Sequence, residues 1–279
     1  MKLTVRYARL TDVGRVRQTN EDNWTADLEQ GLFIVADGMG GESAGELASK
    51  AVVMALPGVV RQCFGTMEGL PRRRAPRRMK KAIATLSIQL RLQTQSEPGL
   101  EGMGSTVVCA LVRGERVLVA HMGDSRAYRL RAGRLRPLTK DHSLVRLLVD
   151  SGEITSEEAA THPSRGCLTR SVGMQGEPLP EARLLKVGPG DLVLLCTDGL
   201  TGMLSDPQIQ FILNESASME TRCQRLVDAA NEAGGRDNIT VVLMSFAEQS
   251  QKPCSGTRHA ESTGASCSST VNGMTRAYY

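Results

Sequence analysis

Four acidic motifs stand where the sequence predicts strand ends or the turns beside them. They are Asn20-Glu21-Asp22 early in the chain, Asp37-Gly38-Met39-Gly40-Gly41 after LFIVA, Asp198-Gly199 after VLLCT, and Asp237-Asn238 directly before ITVVLM. Carboxylates at the mouth of a sheet are held rigidly, and hard oxygen donors select Mg²⁺ or Mn²⁺. Two such ions need a bridging carboxylate with flanking ligands, and together they turn water into hydroxide at neutral pH. Asp37 is the candidate bridge, and the glycines after it let the backbone come close enough for the Gly38 carbonyl to act as a ligand. A single Asp-Gly pair is a common turn; four acidic motifs in sheet-end settings point to one shared metal site. Arg17 lies four residues before Glu21. A guanidinium beside such a centre would hold phosphate oxygens bidentately, although its spacing equally fits a surface arginine like Arg15.

Other phosphate chemistries find no support. No cysteine has an arginine six positions later, and no Gly-Lys dipeptide marks a P-loop. Gly38-x-Gly40 lacks the third glycine of a dinucleotide fingerprint. The four histidines (121, 142, 162 and 259) show no paired metal-ligand spacing; none is assigned to a metal, and His121, ending an apolar run, is expected in the core.

The elements that must position these groups follow from apolar patterning. Runs at 32–37, 105–112, 116–121, 125–131, 191–196 and 238–244 are rich in Val, Leu and Ile and bounded by turn residues, which predicts strands. Connections such as Arg113-Gly114-Glu115 and Arg131-Ala132-Gly133 predict antiparallel hairpins. Helical patterning fills 43–64, 77–95, 206–214 and 219–233, with Pro57 expected to break or kink the first block. Strand runs beside paired long helices predict an α+β layered sandwich rather than a parallel doubly wound sheet. A polar stretch at about 141–176 with short helical pieces reads as an inserted flap. After Phe246 the apolar period ends, and 248–279 is expected to be a disordered Ser/Thr/Gly-rich tail behind a domain of 1–247.

Of 279 residues, 23% are charged and 41% hydrophobic, ordinary for a soluble globular protein. No run approaches the roughly 18 apolar residues of a membrane span. The opening MKLTVRYARLTDVG lacks a signal-peptide pattern, so the expected location is cytoplasmic. Seven cysteines without a CxxC pair fit free thiols better than disulfides or zinc. The net charge of +4 is local in origin: PRRRAPRRMKK at 71–81 carries five Arg, two Lys and no acid, which leaves the remainder at −3. Such a segment fits a solvated loop and helix face, or contact with nucleic acid or an acidic partner. The absence of interleaved aromatic residues argues against nucleic acid.

The segments VRQTNED, VADGMGG, GSTVV, VAHMGDSRAY, LTKDHS, LTRSVG, CTDGL and GRDNITVV occur in an order that resembles the bacterial metal-dependent protein phosphatases of type 2C, over about residues 10–246. The resemblance implies a four-layer α-β-β-α sandwich of two antiparallel sheets flanked by helix pairs, with two Mn²⁺ or Mg²⁺ ions in the channel between the sheets. By motif position Asp37 bridges both ions, Asp198 and Asp237 complete one side, Glu21 and the Gly38 carbonyl serve the other, Arg17 binds phosphate, and Asp22 orients a water. Asp124 matches the ligand of a weaker third ion, but Gly202 stands where many relatives carry a further acid, and Met39 where animal relatives carry a histidine. The implied activity is hydrolysis of phosphoserine and phosphothreonine on proteins, by a monomer opposing a bacterial serine/threonine kinase. The alternative is a pseudophosphatase that binds phosphorylated partners without turnover.

Overall fold

The computed structural model describes residues 3–40, 44–65, 69–97, 100 and 102–248. In chain order the elements are β1 (Leu3–Asp12), β2 (Asp22–Asp27), β3 (Leu32–Met39), α1 (Ala44–Phe64), α2 (Arg74–Ser96), β4 (Gly104–Ser105), β5 (Val107–Arg113), β6 (Arg116–Met122), β7 (Arg126–Arg131) and β8 (Arg134–Pro137). There follow α3 (Leu144–Ser151), α4 (Ser156–Thr161), β9 (Glu181–Lys186), β10 (Leu192–Cys196), α5 (Asp198–Thr201), α6 (Asp206–Asn214), α7 (Met219–Glu232) and β11 (Ile239–Glu248). Of the expected tail at 248–279, Glu248 instead ends β11, and the rest lies outside the described residues.

Two antiparallel sheets form the centre. One has the order β1-β11-β10-β7-β8 and the other β2-β3-β5-β6-β9, with the two-residue β4 pairing with the end of β3. Side chains alternate between faces along a strand, and here both faces are buried. On β5, Val107, Cys109 and Leu111 pack toward α1 and α2, while Val108, Ala110 and Val112 meet the opposite sheet. On β11, Ile239, Val241 and Leu243 pack toward α6 and α7, while Val242, Met244 and Phe246 face inward. Three apolar layers therefore separate four structural layers, and the expected sandwich is the one found.

Helix α1 runs unbroken through Pro57, so the expected break does not occur. Its length and apolar content would suffice to cross a bilayer. Its Ala48, Val52, Leu56 and Val60 are buried in the same core as Leu32 and Ile34 of β3, which makes it a core helix of the sandwich. Between β8 and β9, residues 141–176 hold α3 and α4. The base of this segment is tied down by Leu144 N–H donating to Cys167 O at 2.8 Å and Thr169 N–H donating to His142 O at 2.8 Å. Thr155 and Glu158 close a capping box on α4.

Candidate metal centre

The antiparallel register of β2 and β3 sets Asp22 directly opposite Asp37. Like charges in that position repel, so the strand pairing itself creates a demand for positive charge. Asp198 begins α5 after β10, and Asp237 lies just before β11, so the second sheet delivers its carboxylates to the same place. Asp37 feels Asp22, Asp198, Asp124 and Asp237, and burial together with these neighbours pushes its pKa well above the ordinary carboxylate range. Asp198 is raised by burial and by Asp237, against an opposing effect of Asp37. Burial also raises Asp124, with Asp198 and Asp141 adding to the effect. For Glu21 burial again dominates, and Arg17 opposes it.

Backbone and hydroxyl groups fix this constellation. Thr106 clasps Asp37 from both sides, its Oγ1 accepting from Asp37 N–H at 3.0 Å and its N–H donating to Asp37 O at 2.8 Å. Ser125 lies 2.7 Å from Thr106 Oγ1. Thr197 donates to Asp22 Oδ2 at 2.8 Å. Asn238 is the cross-brace: its Oδ1 accepts from Glu21 N–H at 2.8 Å, and its Nδ2 donates to the Val13 and Thr19 carbonyls at 3.0 and 2.9 Å. The sequence motifs contain Thr106, Thr197 and Asn238, but nothing in their spacing shows that they hold the acids in place.

Glu21 and Gly38 meet at the first turn of α1. Gly38 N–H donates to Glu21 O at 3.1 Å, and a Cβ on Gly38 would stand 1.8 Å from Gly45 O. A Cβ on Gly45 would meet Glu21 Oε1 at 2.5 Å. Two glycines thus let helix, strand end and carboxylate share one space. Arg17 is half exposed, and its Nη2 donates to Asp237 Oδ2 at 2.9 Å.

The donor set suits hard divalent cations: all its side-chain donors are carboxylates. Asp22 Oδ1 and Asp198 Oδ1 are buried with no hydrogen-bond partner. Such groups are costly unless paired or bound to metal, and a bound cation would reverse the upward pKa shifts. The residues present therefore fit the group. Asp124, Asp198 and Asp237 line a cleft of about 680 Å³, whose other wall includes Val145 and Val149 of α3 and Ala159 of α4. The Arg126 guanidinium grips Asp141 through two bonds of 2.8 and 2.7 Å and so anchors the base of that wall.

His121, His142 and Glu181 form a second group, with ligand atoms within 4.8 Å of one another. The imidazoles stack at 4.5 Å with planes 18° apart, so their in-plane lone pairs run side by side and do not converge. A His121 ring nitrogen donates to Lys140 O at 2.8 Å, and Arg170 Nη1 lies 3.3 Å from His142 Nε2. The group joins both ends of the 141–176 segment to β6 and β9. His121 is buried, as expected from its apolar run. Cys63, Cys109, Cys167, Cys196 and Cys223 are free thiols, and burial pushes Cys109 and Cys196 up to about 12.

A sequence profile described as Protein phosphatase 2C matches residues 14–243. The chain is 38% identical over 237 residues to the serine/threonine phosphatase stp of Listeria welshimeri serovar 6b, covering 84% of this chain and 93% of that one. The serine/threonine phosphatase structure of S. agalactiae superimposes with a TM-score of 0.79 at 34% identity, covering 88% of this chain and all of the other. The catalytic domain of the phosphatase PstP, in complex with 2 manganese ions, gives 0.73 at 34% identity over 88% of this chain and 100% of that one.

Proposed function

The chain belongs to the protein phosphatase 2C family, and from that membership we propose that it is a metal-dependent phosphatase of phosphoserine and phosphothreonine on proteins. The observation that carries the reading is the convergence of Glu21, Asp37, Asp198 and Asp237 from both sheets, with buried carboxylate oxygens left unpartnered. When bound, two divalent cations supply an acidified water as nucleophile and offset the charge of the phosphoryl group. Asp37 would bridge them, Asp198 and Asp237 would hold one side, and Glu21 with the Gly38 carbonyl would hold the other. Asp22, fixed by Thr197, orients water, and Arg17 orients the phosphate dianion. Asp124 stands ready for a weaker third ion, although Gly202 contributes no carboxylate beside it.

We take the enzyme as a monomer. Free thiols among the described residues fit a reducing, cytoplasmic setting, and a serine/threonine kinase is the activity such an enzyme opposes. Residues 1–247 form the phosphatase domain in this reading, with 141–176 as its flap. The test is hydrolysis of a phosphothreonine peptide by purified protein, in chelator and after adding Mn²⁺. We expect loss and recovery of turnover; undiminished turnover in excess chelator, or peptide binding without turnover in Mn²⁺, would reject it.

A further inference from the structure

From Gly69 to Ser96 the chain has no carboxylate and eight basic side chains. Arg72, Arg73, Arg74, Arg77, Lys80 and Lys81 are exposed, and none of them makes an ion pair among the described residues. They gather at the start of α2, whose first turn holds no acid and whose N-cap Arg73 provides no side-chain cap. Cations in that first turn oppose the positive end of the helix dipole. A locally unfavourable choice repeated this often marks a surface kept for another purpose.

The same helical layer continues into exposed aliphatic side chains. Arg78 Nη1 donates to Cys63 O at 3.3 Å, joining the end of α1 to the start of α2, which then runs back along it. The first half of α1, with Leu47 and Met54 at its start and middle, therefore lies beside the second half of α2, with Ile88 and Leu92. These side chains are 50%, 71%, 40% and 58% exposed. One outer layer thus presents guanidinium and ammonium groups at one end and exposed aliphatic groups from its middle to the other end.

We propose that the outer face of α1 and α2 docks on a membrane surface rich in anionic phospholipid. Arginine forks match phosphate oxygens, each basic group near such a surface adds binding, and the aliphatic end enters the acyl boundary as an interfacial amphipathic face does. Nucleic acid offers nothing to Met54 and Leu92, and the segment lacks the aromatic residues that stack bases. No residue of α1 or α2 lines the carboxylate cleft, so the docked enzyme keeps its cleft free for phosphoproteins at the membrane.

The full chain should co-sediment with phosphatidylcholine vesicles containing about 30% phosphatidylglycerol, not with phosphatidylcholine alone, and less as salt shortens the Debye length. Reversing Arg73, Arg74, Arg77 and Lys81 to Glu should weaken binding at least tenfold without loss of p-nitrophenyl phosphate turnover, because acids suit a helix N-terminus. Met54→Ser with Leu92→Ser should weaken it severalfold. No binding to the anionic vesicles, or binding that survives the charge reversal, overturns the proposal. Equally tight binding to polyglutamate or DNA that ignores the two serines assigns the face to an acidic macromolecule instead and also overturns it.

Discussion

Arg17 and Asp237 form a half-exposed ion pair. That contact holds the guanidinium beside a proposed metal ligand, where it would meet the phosphate dianion. Arg17→Ala should therefore cost about 2 to 4 kcal/mol in kcat/KM through lost orientation of the dianion; an unchanged kcat/KM would place the phosphate clamp elsewhere. His142 supplies a different test at this scale. Burial chiefly, then His121 and Arg170, lower its pKa from 6.5 to about 4, against an opposing effect of Glu181. The unfolded chain binds that proton more readily, so the stability from the neutral ring is present above about pH 6.5 and is lost as pH falls toward 4. The gap in Tm between wild type and His142→Gln should shrink over that interval; a constant gap would contradict it. Asp37, Asp198 and Asp237 are legible because Asp-Gly and Asp-Asn follow or precede long apolar runs. Thr106, Thr197 and Asn238 are not, since their roles depend on which carboxylate the fold sets beside them.

Elements differ in how clearly they announce themselves. Strands β3, β5, β6, β10 and β11 are buried on both faces and read as continuous apolar runs. Strands β1, β2 and β9 are half polar and lie at sheet edges, where pairing with a neighbour, not local pattern, makes them strands. Arg9, for example, lies 4.1 Å from the ring centroid of Trp24, a cation–π contact that polarity alone reads as loop. The short α5 escapes periodicity because it is one turn long. The junction of β3 and α1 carries a prediction of its own. Gly45→Ala favours the helix by up to about 1 kcal/mol, yet its methyl group would displace the Glu21 carboxylate. Mn²⁺ affinity should fall at least tenfold while the Tm of the metal-free protein holds or rises. Unaltered affinity would show that Glu21 does not need that space.

At the scale of the molecule, two sheets bring their acids together because each helix pair closes one outer face and leaves the inner faces to each other. The closing strand β11 ends at Glu248 and the last proposed ligand is Asp237, so a chain cut after Glu248 should keep its Tm within about 2 °C and its turnover. A fall of several degrees would mean that residues beyond 248 contribute to the domain. The central claim is the dinuclear oxygen site itself. Anomalous diffraction from Mn²⁺-soaked crystals tests it most directly. Two strong peaks about 3.5 to 4 Å apart, with Asp37 between them and both absent in Asp37→Ala, are the predicted result; a single ion, or manganese at His121 and His142 with the carboxylates empty, would contradict it.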